Sequence, residues 1–367
     1  MLTYKYNESL PSRPIKFYSH ALLLDLYHKS CNISFMNNNN LTLHGANPEN
    51  LYKAFNISMP GKIIDFSTNT NILSWPENIN IDIESLASRY PDSECLNLRK
   101  IISSRENINI NKILFTNGIN EAIFLLARVL TGNTAILEPC YSEYKRAFMN
   151  SHEIFSLNDI NNYDNIILTN PNNPTGIYIN NLHEIIKFYP DKFFIIDEAY
   201  IDFVLSDNIQ RERLCDFDNA IILRSLTKIF HLSGVRIGYI IANESIIERV
   251  KKFLPTWSVN SIAQELAVKF LNDSNFYERT RKFYKYNTPE FMENLRLAGF
   301  DVLKSDVHYF LIRVNNDMEA LRILLKNGMT ARHTRNFAGL DGQYLRVATR
   351  FENENKFFIE TLKSLSS

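Results

Sequence analysis

Six short apolar runs, Ile113 to Phe115, Ala135 to Glu138, Ile166 to Thr169, Phe193 to Asp197, Ala220 to Leu223 and Arg236 to Ile241, alternate with stretches of helical character. A chain with that rhythm has few folds open to it. Strands separated by helices pair side by side through right-handed crossovers and build a mainly parallel sheet, covered on both faces. The middle of the chain is therefore expected to be α/β. After Trp257 the pattern turns to helices, at Asn260 to Leu271 and along a charged stretch from about Phe276 to Leu297. The strand-like HYFLIRV and YLRVAT follow, so the end reads as α+β. At 367 residues the chain is long for one domain. It divides into an extension (1–43), a segment packing with the smaller domain (44–76), a large domain (77–257) and a small C-terminal domain (258–367).

In an open sheet of this kind ligands bind beyond the carboxyl ends of the strands, and here several runs end in polar residues. The segment IILRSLTKIFHLSGVRIGYII places Ser225 and Lys228 after one run and Arg236 before the next. A lysine amine attacks a carbonyl only when neutral, which needs surroundings that lower its pKa, and a phosphate needs hydroxyl, guanidinium and amide donors. NKILFTNGINEAIFLLARVL runs through Asn117-Gly118 into an apolar helix, whose first amides, at Gly118, Ile119 and Asn120, would hold a phosphate. NIILTNPNNPTGIYI ends its run with Asn173 before Pro174, and KFFIIDEAYIDF ends its run with Asp197, followed by Tyr200. Tyr141 stands in EPCYSEY. The set fits pyridoxal 5'-phosphate (PLP): a lysine to carry it, donors for its phosphate, and a carboxylate to keep its ring nitrogen protonated and the ring an electron sink.

With this order of motifs the chain resembles the histidinol-phosphate aminotransferase group of fold-type I PLP enzymes. Within that group it is similar to the threonine-phosphate decarboxylase branch of the cobalamin pathway. The likeness runs from about His44 to the C-terminus and includes HGAN from His44, IIDFSTNTN from Ile63, LRSLTK, LPTWSVNSIAQ from Leu254 and FAGLDGQYLRVATR from Phe337. It implies a large domain with a mainly parallel seven-stranded sheet, plus a smaller α+β domain. It also implies that Lys228 carries the cofactor, Asp197 pairs with the pyridine nitrogen, Asn173 and Tyr200 hold the phenolate oxygen, and Tyr141 stacks on the ring. Gly118, Ile119, Asn120, Ser225 and Arg236 would bind the phosphate. Tyr90, in RYPD, would reach the neighbouring site of a homodimer. Arg346 matches the group's α-carboxylate clamp and Arg332 a second anion-binding arginine. His44 and Gly45 would close over a substrate phosphate, with Asn69 or Asn71 as partners.

The implied reaction is decarboxylation of O-phospho-L-threonine or O-phospho-L-serine to the amino-alcohol phosphate and CO2, with Lys228 or a water supplying the proton at Cα. The two substrates differ by one methyl, and the sequence does not choose between them. The alternative is an aminotransferase acting on a phosphorylated amine or ketone, such as histidinol phosphate or a three-carbon phosphate, which needs an external amino acceptor. Two departures from the group stand out. Asn71-Ile72-Leu73-Ser74 replaces the usual Asn-Pro-Leu-Gly, and Ile119-Asn120 replaces Glu-Thr, removing one hydroxyl from the phosphate cradle.

Composition suits a cytoplasmic enzyme with a small-molecule substrate. Forty basic residues balance forty acidic ones, so no surplus positive charge recommends a nucleic acid. The apolar stretch Ala21 to Leu26 is too short to span a membrane. Cys31, Cys95, Cys140 and Cys215 lack the spacing of metal ligands and read as reduced thiols, and no metal site is expected. The polar run Asn37 to Asn40 is the one low-complexity stretch.

Overall fold

The computed structural model describes residues 41, 44–77, 79–206, 209 and 211–363. Apart from Leu41, the extension of residues 1–43, with its asparagine run and Cys31, lies outside the described residues. The apolar runs form one seven-stranded sheet: β2 (Ile113–Thr116), β3 (Thr134–Leu137), β4 (His152–Ile154), β5 (Asn165–Thr169), β6 (Phe193–Asp197), β7 (Ala220–Ser225) and β8 (Gly238–Ile241), in the order β2-β8-β7-β6-β5-β3-β4. Strands β2, β3, β5 and β8 are buried at every residue. This is why they read as unbroken apolar runs rather than as alternating ones: helices cover both faces.

All neighbours pair in parallel except β8, which runs against both β2 and β7. The reversal matters for the site. Gly238, the first residue of β8, lies opposite both Thr116 and Ser225, the last residues of β2 and β7. The N-terminal end of β8 and the Arg236 before it therefore share one edge of the sheet with the carboxyl ends of the other strands. Strand β4 is the seventh strand, beyond the six apolar runs of the sequence; its first two residues are exposed and its three residues form the sheet's edge.

A second body of structure lies outside this sheet. β9 (Tyr309–Arg313), β11 (Arg332–His333) and β12 (Tyr344–Ala348) form an antiparallel sheet in the order β11-β12-β9, while β1 (Ile64–Asp65) pairs in parallel with β10 (Met329–Thr330). Leu51, Tyr52, Phe55 and Phe66 from the N-terminal side share one hydrophobic cluster with Phe291, Leu324, Val347 and Phe358, and Phe66 packs on Phe358 at 4.5 Å between ring centroids. We propose a large domain around the seven-stranded sheet and a smaller one around this second cluster. The packing does not divide at residue 258, because the helix Ser261–Asn272 and the first turns of Ser274–Leu297 bury Ala263, Leu266, Phe270, Phe276 and Tyr284 in the large cluster.

Candidate active site

A cavity opens where β5, β6 and β7 end and β8 begins, between the two clusters. Lys228 sits in it on the short helix Leu226–Ile229, which directly follows β7. Burial, then the positive charges of Arg346 and Arg236, lower its amine from 10.5 to about 8, while Asp197 opposes them. A substantial share of the amine is thus neutral near pH 7 to 8, as carbonyl chemistry requires.

Around Lys228 the sheet edge supplies two further sets of groups. Gly118 begins the helix Gly118–Val129 with φ +74°, and a Cβ there would lie 2.8 Å from Nη2 of Arg236. Backbone amides and a guanidinium thus approach each other across a space that only glycine leaves open. Arg236, itself at φ 57°, is braced by donation from Nη1 to the Ser233 carbonyl at 2.9 Å. The Ser225 and Thr227 hydroxyls lie 2.7 Å apart beside it. Asp197 ends β6, buried, with Oδ1 accepting from the Ala199 amide and Oδ2 from the Tyr144 hydroxyl, both at 2.9 Å. The Tyr141 hydroxyl donates to Asn120 Oδ1 at 3.3 Å. The ring of Tyr200 lies 5.7 Å from the Lys228 ammonium.

The opposite wall comes from the smaller sheet and the N-terminal segment. Arg332 on β11 and Arg346 on β12 are direct partners in the strand register, and both are buried. Arg346 donates from Nη1 to Asn173 Oδ1 and from Nη2 to the Ser67 carbonyl, each at 2.6 Å, and its Nε is buried without a partner. The bond from Arg346 turns the amino side of the Asn173 amide away from the guanidinium. Arg332 contacts His333 Nε2 at 2.7 Å, donates to Asn336 Oδ1 at 2.5 Å and lies over the Phe337 ring. Burial, then Arg346, push Arg332 down to about 9, and burial lowers Arg346 as well. Two planar guanidiniums set side by side in one cavity can each grip an anion through paired N–H donors, and Asp65 also acts on Arg346.

His44 reaches over from the N-terminal side, with Nε2 2.9 Å from Glu143 Oε1 and its ring 5.5 Å from that of Tyr141. Gly45 packs so tightly that a Cβ would stand 2.9 Å from the Ser67 carbonyl and 3.2 Å from Arg332 Cδ. The segment between Phe66 and Asn71 links the wall together at alternate residues. Ser67 accepts from Arg346, the Asn69 carbonyl meets His308 Nε2 at 3.0 Å, and the Asn71 amide donates to the Lys228 carbonyl at 2.9 Å. Of the two asparagines considered for the substrate, Asn69 lines the cavity with its side chain beside Tyr200; Asn71 is occupied instead with Ile229 and Thr280.

Lys228, Gly118, Ile119, Asn120, Tyr141, Asn173, Asp197, Tyr200, Ser225, Arg236, His44, Gly45, Asn69, Arg332 and Arg346 thus all line one cavity, although 302 positions separate the first from the last in sequence. Tyr90 does not. It is 78 % exposed and stacks on Trp257 at 4.2 Å, away from the cavity of its own chain. Sequence reasoning passed over Thr227, Ser67, Phe337 and Tyr144. Thr227 had a signal, since it stands between Ser225 and Lys228; Tyr144 had a weaker one, three residues after Tyr141 and on the helix Glu143–Ala147.

Residues 64–356 match the family model for class I and II aminotransferases. The chain belongs to that family. Its members are PLP-dependent enzymes with the fold seen here. The chain is 30 % identical over 361 residues to an adenosylcobalamin biosynthesis bifunctional protein of Leptospira interrogans, covering 89 % of this chain but only 41 % of that protein. It is 29 % identical to a threonine-phosphate decarboxylase of Salmonella typhimurium, covering 88 % of this chain and 96 % of that one. The same identity, 29 %, relates it to a histidinol-phosphate aminotransferase of Caldicellulosiruptor saccharolyticus, covering 83 % and 92 %. Among solved structures, the L-threonine-O-3-phosphate decarboxylase of Porphyromonas gingivalis is similar at 27 % identity, with a TM-score of 0.73 over 83 % of this chain and 99 % of that one. The histidinol-phosphate aminotransferase of Sinorhizobium meliloti, solved with pyridoxal-5'-phosphate, shares the fold at 17 % identity, with a TM-score of 0.74 over 96 % and 99 %.

The cavity of this family member fits that cofactor on its own evidence. The Gly118–Arg236 approach makes a cradle that a side chain would fill, and the lysine, carboxylate and phenols around it match the functional groups of PLP. No helix among the described residues is long and apolar enough to cross a membrane.

Proposed function

We propose that this protein decarboxylates an O-phosphorylated L-amino acid, O-phospho-L-threonine or O-phospho-L-serine, to the amino-alcohol phosphate and CO2. The observation that carries this reading is the register pair Arg332 and Arg346, two buried guanidiniums side by side in the cavity of Lys228, suited to a substrate with two anions. Arg346 would take the α-carboxylate; Arg332, with His44, Gly45 and Asn69, would take the phosphate. Gly118, Ile119, Asn120, Ser225, Thr227 and Arg236 would hold the phosphate of PLP, Asp197 its ring nitrogen, Asn173 and Tyr200 its phenolate oxygen, and Tyr141 the face of its ring. PLP, when bound, supplies an electron sink for the pair left when a bond at Cα breaks.

The chain's own residues decide which bond that is. Arg346 fixes the carboxylate, and with it the rotation about the bonds of Cα. When the Cα–carboxylate bond breaks, CO2 leaves and a proton delivered by Lys228 takes its place. Lys228 suits this task because an amine near pKa 8 both holds and gives up a proton around neutrality. A second reading is favoured by the equal identity to a histidinol-phosphate aminotransferase: Lys228 would instead remove the Cα proton, and an amino acceptor would complete the cycle.

Incubating the PLP-loaded protein with each phosphoamino acid, with and without 2-oxoglutarate, separates the two. CO2 release independent of the acceptor is the expected result; glutamate without CO2 assigns the transaminase. We also propose a cytoplasmic homodimer in which the exposed Tyr90 reaches the neighbouring subunit's cofactor phosphate.

A further inference from the structure

Asp197 is held in a way that no residue chosen from the sequence explains. Its two carboxylate oxygens each accept one hydrogen bond of 2.9 Å: Oδ1 from the backbone of Ala199, Oδ2 from the hydroxyl of Tyr144. Tyr144 is fully buried on the helix Glu143–Ala147, its ring edge-on to Tyr141 at 6.5 Å. It is therefore locked on both sides, by the carboxylate at its tip and by the aromatic at its edge. We infer that Tyr144 is a positioning residue for Asp197, which keeps that carboxylate ionised and oriented toward the ring nitrogen of bound PLP. The inference rests on the cofactor placement proposed above.

Burial pushes Asp197 toward its neutral acid, and the Ala199 amide, the Tyr144 hydroxyl and then Lys228 push it back. Tyr141 and Tyr144 on the neighbouring segment, Tyr200 after β6, Tyr309 on β9 and the Cys140 thiol also face it. Burial raises every one of these five, so they stay neutral. Among the described residues Lys228 is then the one cation acting on Asp197, and it is committed to the cofactor. The Ala199 amide cannot be tuned by a side chain. Tyr144 is the remaining control: a phenol raised far above its usual pKa by burial and by the nearby carboxylate remains a donor throughout the working range. When Asp197 takes up a proton it no longer supports a protonated ring nitrogen, and the cofactor should bind less tightly.

The test is the dissociation constant of PLP from the full chain, read by fluorescence quenching from acid to neutral pH. The parent should show an acid-side weakening where Asp197 protonates. In Tyr144→Phe that step should move up by about one pH unit, the size expected for one lost hydrogen bond to a charged group. Tyr144→Gln, which keeps a donor, should bring it part of the way back. Asp197→Asn should abolish the step, and adding Tyr144→Phe to it should change nothing further. A step at the parental pH in Tyr144→Phe, with affinity lowered uniformly, would overturn the inference and leave Tyr144 a packing residue. A step that survives in Asp197→Asn would instead overturn the cofactor placement on which the inference stands.

Discussion

The two walls of the cavity are built on different principles. On the sheet side, groups are fixed by the backbone: Gly118 by its positive φ and its closeness to Arg236, Lys228 by a helix that starts one residue after a strand, Asp197 by its place at the end of β6. On the other side, two arginines from short strands are held by neutral oxygen and nitrogen atoms, Asn173, Ser67, Asn336 and His333. The first wall is rigid and matches one cofactor. The second sets two buried guanidiniums side by side, and so suits a ligand that brings anions. The lesson is that the cofactor is matched here by backbone geometry, and the class of substrate by two guanidiniums set side by side.

The comparison breaks most sharply at Lys228. Lys228→Ala should lower turnover by about 10³-fold, within the range for losing a group that moves a proton, and remove the borohydride-reducible absorbance of bound PLP. A band that persists and is reduced onto another residue would show that the sheet wall does not do what is assigned to it. Arg332→Ala probes the other wall. It should cut kcat/KM for phosphoamino acids by about 10²-fold, the scale of two charge-assisted hydrogen bonds, while unphosphorylated threonine changes by less than about threefold. Equal losses for both would take Arg332 out of the phosphate site. The smallest effect sharpens the contrast: Gly118→Ala meets both a φ of +74° and a contact of 2.8 Å, and should weaken PLP about tenfold with little change in KM for substrate. An equal rise in KM would mean that the walls are not independent.

Much of the rigid wall was legible because its residues stand at boundaries. Asp197, Ser225 and Asn173 each follow an apolar run, and a polar residue at such a point is visible without a partner. The other wall was legible chiefly through the family likeness. That Arg332 faces Arg346 depends on the register of a two-residue strand, which carries no pattern of its own. Tyr144 drew no notice in the sequence because its partner is 53 residues away, and nothing local distinguishes a buried tyrosine that donates from one that merely packs. Strand β4 escaped for the opposite reason: His152 and Glu153 face solvent, so three residues at the sheet's edge leave no apolar run to read.

The segment from Phe66 to Asn71 has a consequence for anyone who would recombine such proteins. Its Phe66 is embedded in the smaller cluster, its Ser67 braces Arg346, its Asn69 meets His308 and its Asn71 is bonded to the backbone of Lys228. A chimera that exchanges the C-terminal cluster for a relative's, in search of a new substrate, would leave this ribbon matched to the wrong arginines. The unit of exchange is therefore discontinuous. The ribbon has to travel with the C-terminal part, although some two hundred residues of sheet lie between them in the chain.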